Sequence, residues 1–151
     1  MRRMCYPVLL LGIAVCQAVA FAAGEPRSRV RCGPGHGMRI LDLNISPHPL
    51  ASGQKIDRFR AVVQLDGLSE CDGSFELRED PGGEPLARGV RKTLKPGKNV
   101  IEFRPSGAYR LRSREHCFQV VADVGGAPRV LDGPARFCAR ESRAGRRWTM
   151  K

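Results

Sequence analysis

The stretch Arg58-Phe59-Arg60-Ala61-Val62-Val63-Gln64-Leu65-Asp66-Gly67 carries the fold class in its spacing. Phe59, Ala61, Val63 and Leu65 alternate with Arg58, Arg60 and Gln64. Successive side chains on a strand point to opposite faces, so this period of two predicts a strand with one face in a core and one in water. Asp66-Gly67 closes it as a turn. The same alternation recurs in Leu41, Leu43 and Ile45, in Phe75 and Leu77, in Ile101 and Phe103, and in Phe118, Val120, Ala122 and Val124. No window shows the i, i+3, i+4 repeat of a capped amphipathic helix.

Turn signals fall between these runs: Pro47, Pro49 and Gly53, then Asp80-Pro81-Gly82-Gly83, Lys95-Pro96-Gly97 and Gly125-Gly126-Ala127-Pro128. A poorer strand is expected over Leu86 to Thr93, and a last one over about Arg129 to Phe137, weakened by Gly133 and Pro134 and therefore at an edge. The chain has 151 residues, 17 of them Gly and 11 Pro, which fits one domain of short elements and disfavours long helices. It is 42% hydrophobic, too much for a disordered chain. About seven short antiparallel strands at this spacing predict an all-β, two-sheet sandwich over residues 38–139.

Leu94 to Phe103 (Leu-Lys-Pro-Gly-Lys-Asn-Val-Ile-Glu-Phe), followed by Tyr109 and the run from Phe118 to Val124, resembles a bacterial secreted immunoglobulin-like domain of the fibronectin III or CARDB kind. Such domains often carry a Pro-Gly turn before the fifth strand and a Tyr shortly before the sixth. The resemblance covers roughly Met38 to Ala139 and implies an Ig-like β-sandwich that serves adhesion, scaffolding or partner binding. The chain departs from antibody domains in having no core Trp beside an inter-sheet disulfide.

The first residues read as an export signal. Arg2 and Arg3 form the charged region and Pro7 to Val19 the apolar one, with Ala18-Val19-Ala20 and Ala20-Phe21-Ala22 as cleavage frames. The apolar run is interrupted by Gln17 and too short for a comfortable membrane span. Val15 is too large for the position before a lipidated Cys16. The expected organisation is a signal peptide over 1–23, a basic arm over 24–37, the sandwich, and a basic tail over 140–151. The mature chain is then expected in the periplasm or outside the cell, without a transmembrane segment.

Cleavage removes Cys5 and Cys16 and leaves Cys32, Cys71, Cys117 and Cys138. An even number in an exported chain predicts disulfides, and the lack of a close Cys-x-x-Cys or His-x-x-x-His pair speaks against zinc. Four cysteines allow three pairings. Counting antiparallel strands puts Cys32 and Cys71 at one end of the sandwich and Cys117 and Cys138 at the other. A hairpin centred between Ala127 and Pro128 also sets Cys117 opposite Cys138. Because α-carbons must lie within about 7 Å, the predicted bridges are Cys32–Cys71 and Cys117–Cys138.

The chain carries 26 Lys and Arg against 15 Asp and Glu, a net charge of +11. The excess is heaviest at the C-terminus, in Arg136, Arg140, Arg143, Arg146, Arg147 and Lys151. Inside the body an acidic segment (Asp66 to Glu84) precedes a basic one (Arg88 to Arg114), and opposite charges on neighbouring strands would explain both. Arg110, Arg112 and Arg114 recur with period two, so an extended backbone would line three guanidiniums on one face, suited to bidentate capture of sulfate, phosphate or carboxylate. Arg143, Arg146, Arg147 and Trp148 form a second candidate anion or partner surface.

Several other chemistries are poorly matched. Cys117 and His116 are adjacent and face opposite ways on a strand, which disfavours a Cys–His nucleophile. No His follows Cys117, as a blue-copper site would need. Gly33-Pro34-Gly35-His36-Gly37 lacks a following helix to complete a phosphate loop. Glu70, Asp72, Gly73 and Glu79 match a calcium loop only in part. No Gly-x-Ser-x-Gly elbow or His-Glu-x-x-His occurs. The expectation is therefore a non-enzymatic, cofactor-free exported binding or accessory module. Its expected partner is an anionic envelope component or an unidentified protein with an acidic face, rather than specific nucleic acid. An inhibitor or modulator of a secreted enzyme, presenting an arginine-bearing loop, is the alternative.

Overall fold

A computed structural model of the chain describes residues 30–81, 83–107, 109–112, 115–133, 136–142 and 147–150. The expected signal peptide, with Cys5 and Cys16, lies outside them, as do Arg114, Arg143 and Arg146. The described residues form ten strands and no helix. They are β1 (Gly37–Ser46), β2 (Leu50–Ala51), β3 (Arg58–Asp66), β4 (Cys71–Asp80) and β5 (Pro85–Leu94), then β6 (Gly97–Phe103), β7 (Glu115–Val124), β8 (Ala127–Val130), β9 (Phe137–Glu141) and β10 (Arg147–Met150). Two sheets result. The smaller has the order β1-β3-β6, the larger β2-β10-β9-β7-β4-β5, with β8 also paired to β7. All named strand pairs are antiparallel.

The period-two runs explain the layering. In β3 the side chains of Phe59, Ala61, Val63 and Leu65 are buried while Arg58, Arg60 and Asp66 are exposed. In β4 the inward set is Cys71, Gly73, Phe75 and Leu77. These faces meet in one apolar cluster drawn from both sheets, and Phe59 packs edge-on against Phe118 of β7, centroids 4.9 Å apart. Burying each such side chain contributes on the order of 1.5–3 kcal/mol. In β1 the alternation is interrupted: a bulge between Ile40 and Asp42 turns Ile40 inward with Leu43 and Ile45 and leaves Leu41 half-buried.

Both predicted disulfides are present, Cys32–Cys71 and Cys117–Cys138. The hairpin centre behind the second needs correction. The turn after β7 is Gly125-Gly126, both with positive φ (64° and 91°), the pattern of a two-residue hairpin that glycine alone adopts freely. In that register Val124 opposes Ala127. The strand expected over 129–137 is then split. After Leu131, whose amide still donates to Val120 O (2.9 Å), the chain leaves the β7 ladder, and Asp132 O accepts from the amide of Ile40 in β1 (2.8 Å). It rejoins as β9, shifted so that Cys117 faces Cys138.

Two further segments differ from expectation. In the stretch expected to be a basic tail, β10 pairs with β9 and with β2, and Trp148 is only 2% exposed. The described part of the expected N-terminal arm is tied down by backbone bonds. The amide of Cys32 donates to Asp72 O (3.0 Å), that of Asp72 to Val30 O (2.8 Å) and that of Gly125 to Cys32 O (2.9 Å). Gly33 to His36 form a turn closed by His36 N to Gly33 O, 2.9 Å, and by Gly33 N to His36 Nδ1, 3.1 Å.

Candidate anion-binding site

Where β4 begins, β5 ends and β7 turns into β8, a cleft of about 450 Å³ opens on the surface. Its walls carry Arg31, Arg91 and Lys92, and Gly73, Gly125 and Gly126 bring backbone close to it. The β4–β5 register creates this basic wall. Arg91 stands opposite Ser74 and Lys92 opposite Gly73, so neither cation faces an acid across the ladder. The expected pairing of an acidic strand with a basic one is therefore incomplete: the strands do pair, but their charges are out of step. Two acids also line the cleft, each accepting from a neutral donor. Asp72 accepts from the Thr93 hydroxyl (2.5 Å) and Asp123 from the Gly126 amide (2.8 Å). Arg31, Arg91 and Lys92 are exposed and form no ion pair among the described residues.

Gly73 has a packing reason to lack a side chain. A Cβ there would stand 2.7 Å from the Phe75 ring, and Phe75 is fully buried. The cleft is thus walled by flexible cations over a fixed backbone, a geometry for gripping an anionic group at the surface.

At the far end of β4 a polar cluster lies under the β6–β7 connection. The Tyr109 hydroxyl donates to Glu79 Oε2 (2.7 Å), and His116 Nδ1 bonds the other oxygen, Oε1. His116 Nε2 accepts from the Arg112 amide (3.0 Å), which assigns the proton to Nδ1. Trp148 packs edge-on against the imidazole, centroids 5.7 Å apart. Burial, then the hydrogen bond and the negative charge of Glu79, push the Tyr109 pKa well above its ordinary value. These contacts tie the β6–β7 connection to the end of β4.

The residues expected to bind anions are dispersed. Arg110 and Arg112 are exposed on either side of buried Leu111, but this segment belongs to no strand, and the Arg110 guanidinium donates to Gly53 O. With Arg114 outside the described residues, the structure presents no ladder of three. Arg147 is exposed on β10, whereas the Trp148 ring is inside, and its Nε1 is a buried donor without an acceptor among the described residues. Glu115, Cys117 and Cys138 bring one possible metal-ligand atom each within 4.8 Å of one another, but both sulfurs are bonded to each other. Of the partial calcium pattern, Asp72 bonds Thr93 and Glu79 bonds Tyr109 and His116, at opposite ends of β4.

Comparison with protein families, with curated proteins and with solved structures finds no match. The cleft residues come from four separate places in the chain, which is why no motif announces them. The available signal was Arg91-Lys92 on a strand whose partner begins Cys71-Asp72-Gly73-Ser74, since only the register reveals that small residues oppose the cations.

Proposed function

We propose that this chain is a non-enzymatic, exported binding module whose basic cleft takes a sulfate, phosphate or carboxylate group of an anionic envelope polymer or of an acidic protein. The observation that carries it is the gathering of Arg31, Arg91 and Lys92, none paired with an acid among the described residues, around one cleft. The two disulfides accord with an oxidising compartment, and the export signal of the first residues with the same destination.

The Ig-like reading draws support from strand order. Taking β8 and β9 as one interrupted strand, the first, second and fifth long strands share one sheet, and the third, fourth, sixth and seventh share the other. Immunoglobulin constant-type sandwiches likewise keep the first, second and fifth strands in one sheet and the third, sixth and seventh in the other, but they place the fourth with the first group, whereas here it pairs with the third. Tyr109 sits in the connection before the sixth strand, as the resemblance implies, but donates to a carboxylate rather than to a backbone carbonyl. The enzyme-inhibitor alternative has weaker footing, because Arg110 is held against Gly53 rather than projected for insertion.

The test is retention of the mature chain on heparin against neutral dextran. R31Q/R91Q/K92Q is expected to abolish retention at low salt, and the intact chain to elute as salt shortens the screening length to about 8–10 Å. Retention unchanged in the triple variant would overturn the cleft assignment. Point substitution is required. Deleting residues 139–151 would remove β10 and the buried Trp148 with the charges.

A further inference from the structure

Cys117 and Cys138 stand directly opposite each other across the β7–β9 ladder. The neighbours of Cys117 along the strand fix its direction: Phe118 and Val120 are buried in the core, so Cys117 points to the outer face of the sheet with Glu115 and Gln119. Cys117 is half-buried and Cys138 is 5% exposed. Together with Glu115, Arg136 and Arg140 they line a surface cleft of about 330 Å³. Arg136 and Arg140 lie two residues before and two after Cys138. Cys32–Cys71 is the opposite case, 1% and 2% exposed inside the apolar cluster.

We propose that Cys117–Cys138 is a thiol-exchange site, opened by a protein dithiol while Cys32–Cys71 stays closed. A thiolate of the dithiol attacks Sγ of Cys117, the less buried of the two cysteines. A bond forms between that sulfur and Cys117, the Cys117–Cys138 bond breaks, and its electron pair leaves on Cys138 Sγ. Arg136 and Arg140, which pair with Asp80 (3.7 Å) and Glu115 (2.5 Å) while the bond is closed, turn towards this thiolate as it forms and stabilise it, and a better-stabilised leaving thiolate departs faster. The second thiol of the dithiol then loses its proton and attacks its own sulfur in the mixed disulfide, releasing Cys117. The dithiol is oxidised by two electrons to a disulfide. This chain gains two thiols, which take up the two protons released. The strands remain in register, because Glu115↔Arg140, His116↔Ala139 and Phe118↔Phe137 still pair around the opened bond and β10 still pairs with β9.

The experiment treats the mature chain with dithiothreitol as the dithiol probe, quenches by alkylation, and maps the labelled cysteines by mass. Cys117 and Cys138 are expected to open at least about tenfold faster than Cys32 and Cys71. In R136Q/R140Q the opening is expected to slow about three- to tenfold, because the leaving thiolate loses its flanking cations. The control R60Q/R104Q removes the same charge from exposed positions outside both clefts and is expected to keep the wild-type rate. Labelling of all four cysteines together, or of Cys32 and Cys71 first, overturns the proposal. Equal slowing in both arginine variants overturns the role given to Arg136 and Arg140.

Discussion

Strand β4 begins at Cys71 and ends at Asp80, which pairs with Cys117, so the two disulfides stand at its two ends. They do different physical work. Cys32–Cys71 fastens a segment that belongs to no long strand; apart from the packing of Cys32 itself, the described part is held by the Arg31–Asp72 bridge and a few backbone bonds. Cys117–Cys138 joins two strands already paired on both sides of it. A covalent bond contributes most where little else holds the chain. The Cys71 end is thus a staple in the core beside a basic cleft, and the Cys117 end is a crosslink on a sheet that stands without it.

Replacing both cysteines of each pair by Ala gives the largest expected effect and breaks the comparison if the order reverses. The sequence separations are 39 and 21. Loop-closure entropy then predicts losses of about 4 kcal/mol for C32A/C71A and about 3 kcal/mol for C117A/C138A. The gap should widen beyond that difference, because the first pair also loses two buried sulfurs from the core. Urea unfolding of both variants against the wild type measures it. A larger loss in C117A/C138A would show that β9 and β10 depend on their crosslink.

A smaller effect sharpens the view of the Cys71 end as a packed floor beneath the cleft. In Gly73→Ala the new methyl meets the Phe75 ring at 2.7 Å, and that fully buried ring must shift to make room. The expected loss is about 2 kcal/mol from overpacking, read as a lower urea midpoint with an unchanged slope. Little loss would mean that the Phe75 ring shifts at little cost, and that the cleft floor is softer than its burial suggests.

The long strands were legible in the sequence because each buries one face, which forces the period of two that β3, β4 and β7 display. The short ones were not. β2 has two residues and β10 four, too few for alternation to stand out, and the arginines around Trp148 look like a solvated tail. Trp148 is held inside by neighbours distant in sequence, Leu50 across the β2–β10 ladder and the His116 ring. Cysteine pairing could be deduced from strand count alone, and it survived a misplaced hairpin centre because the chain between β8 and β9 absorbs the shift. The cleft was hidden for a further reason. Period-two arginines at 110, 112 and 114 are conspicuous in sequence, whereas Arg31, Arg91 and Lys92 become neighbours only through tertiary register.

The smallest expected effect belongs to the Cys117 end, where Tyr109 anchors the β6–β7 connection to Glu79 at the close of β4. Tyr109→Phe removes that hydrogen bond and leaves Glu79 with His116, a loss of about 1 kcal/mol near neutral pH. Its pH dependence identifies it. The Tyr109 pKa in the folded chain is raised above the ordinary value of 10.0, chiefly by burial and then by Glu79. The unfolded chain therefore ionises this tyrosine from about pH 10 upward while the folded chain keeps its proton. Stability from this group is fully present below pH 10 and is lost as pH rises through the range between the two values. Phe has no proton to lose, so the stability gap between wild type and Y109F should narrow above pH 10 and stay constant below it. Lysines titrating in the same range act on both proteins alike and cancel in the difference. A gap independent of pH between 8 and about 11 would place the Tyr109 hydroxyl in water and undo its role as the anchor of this end.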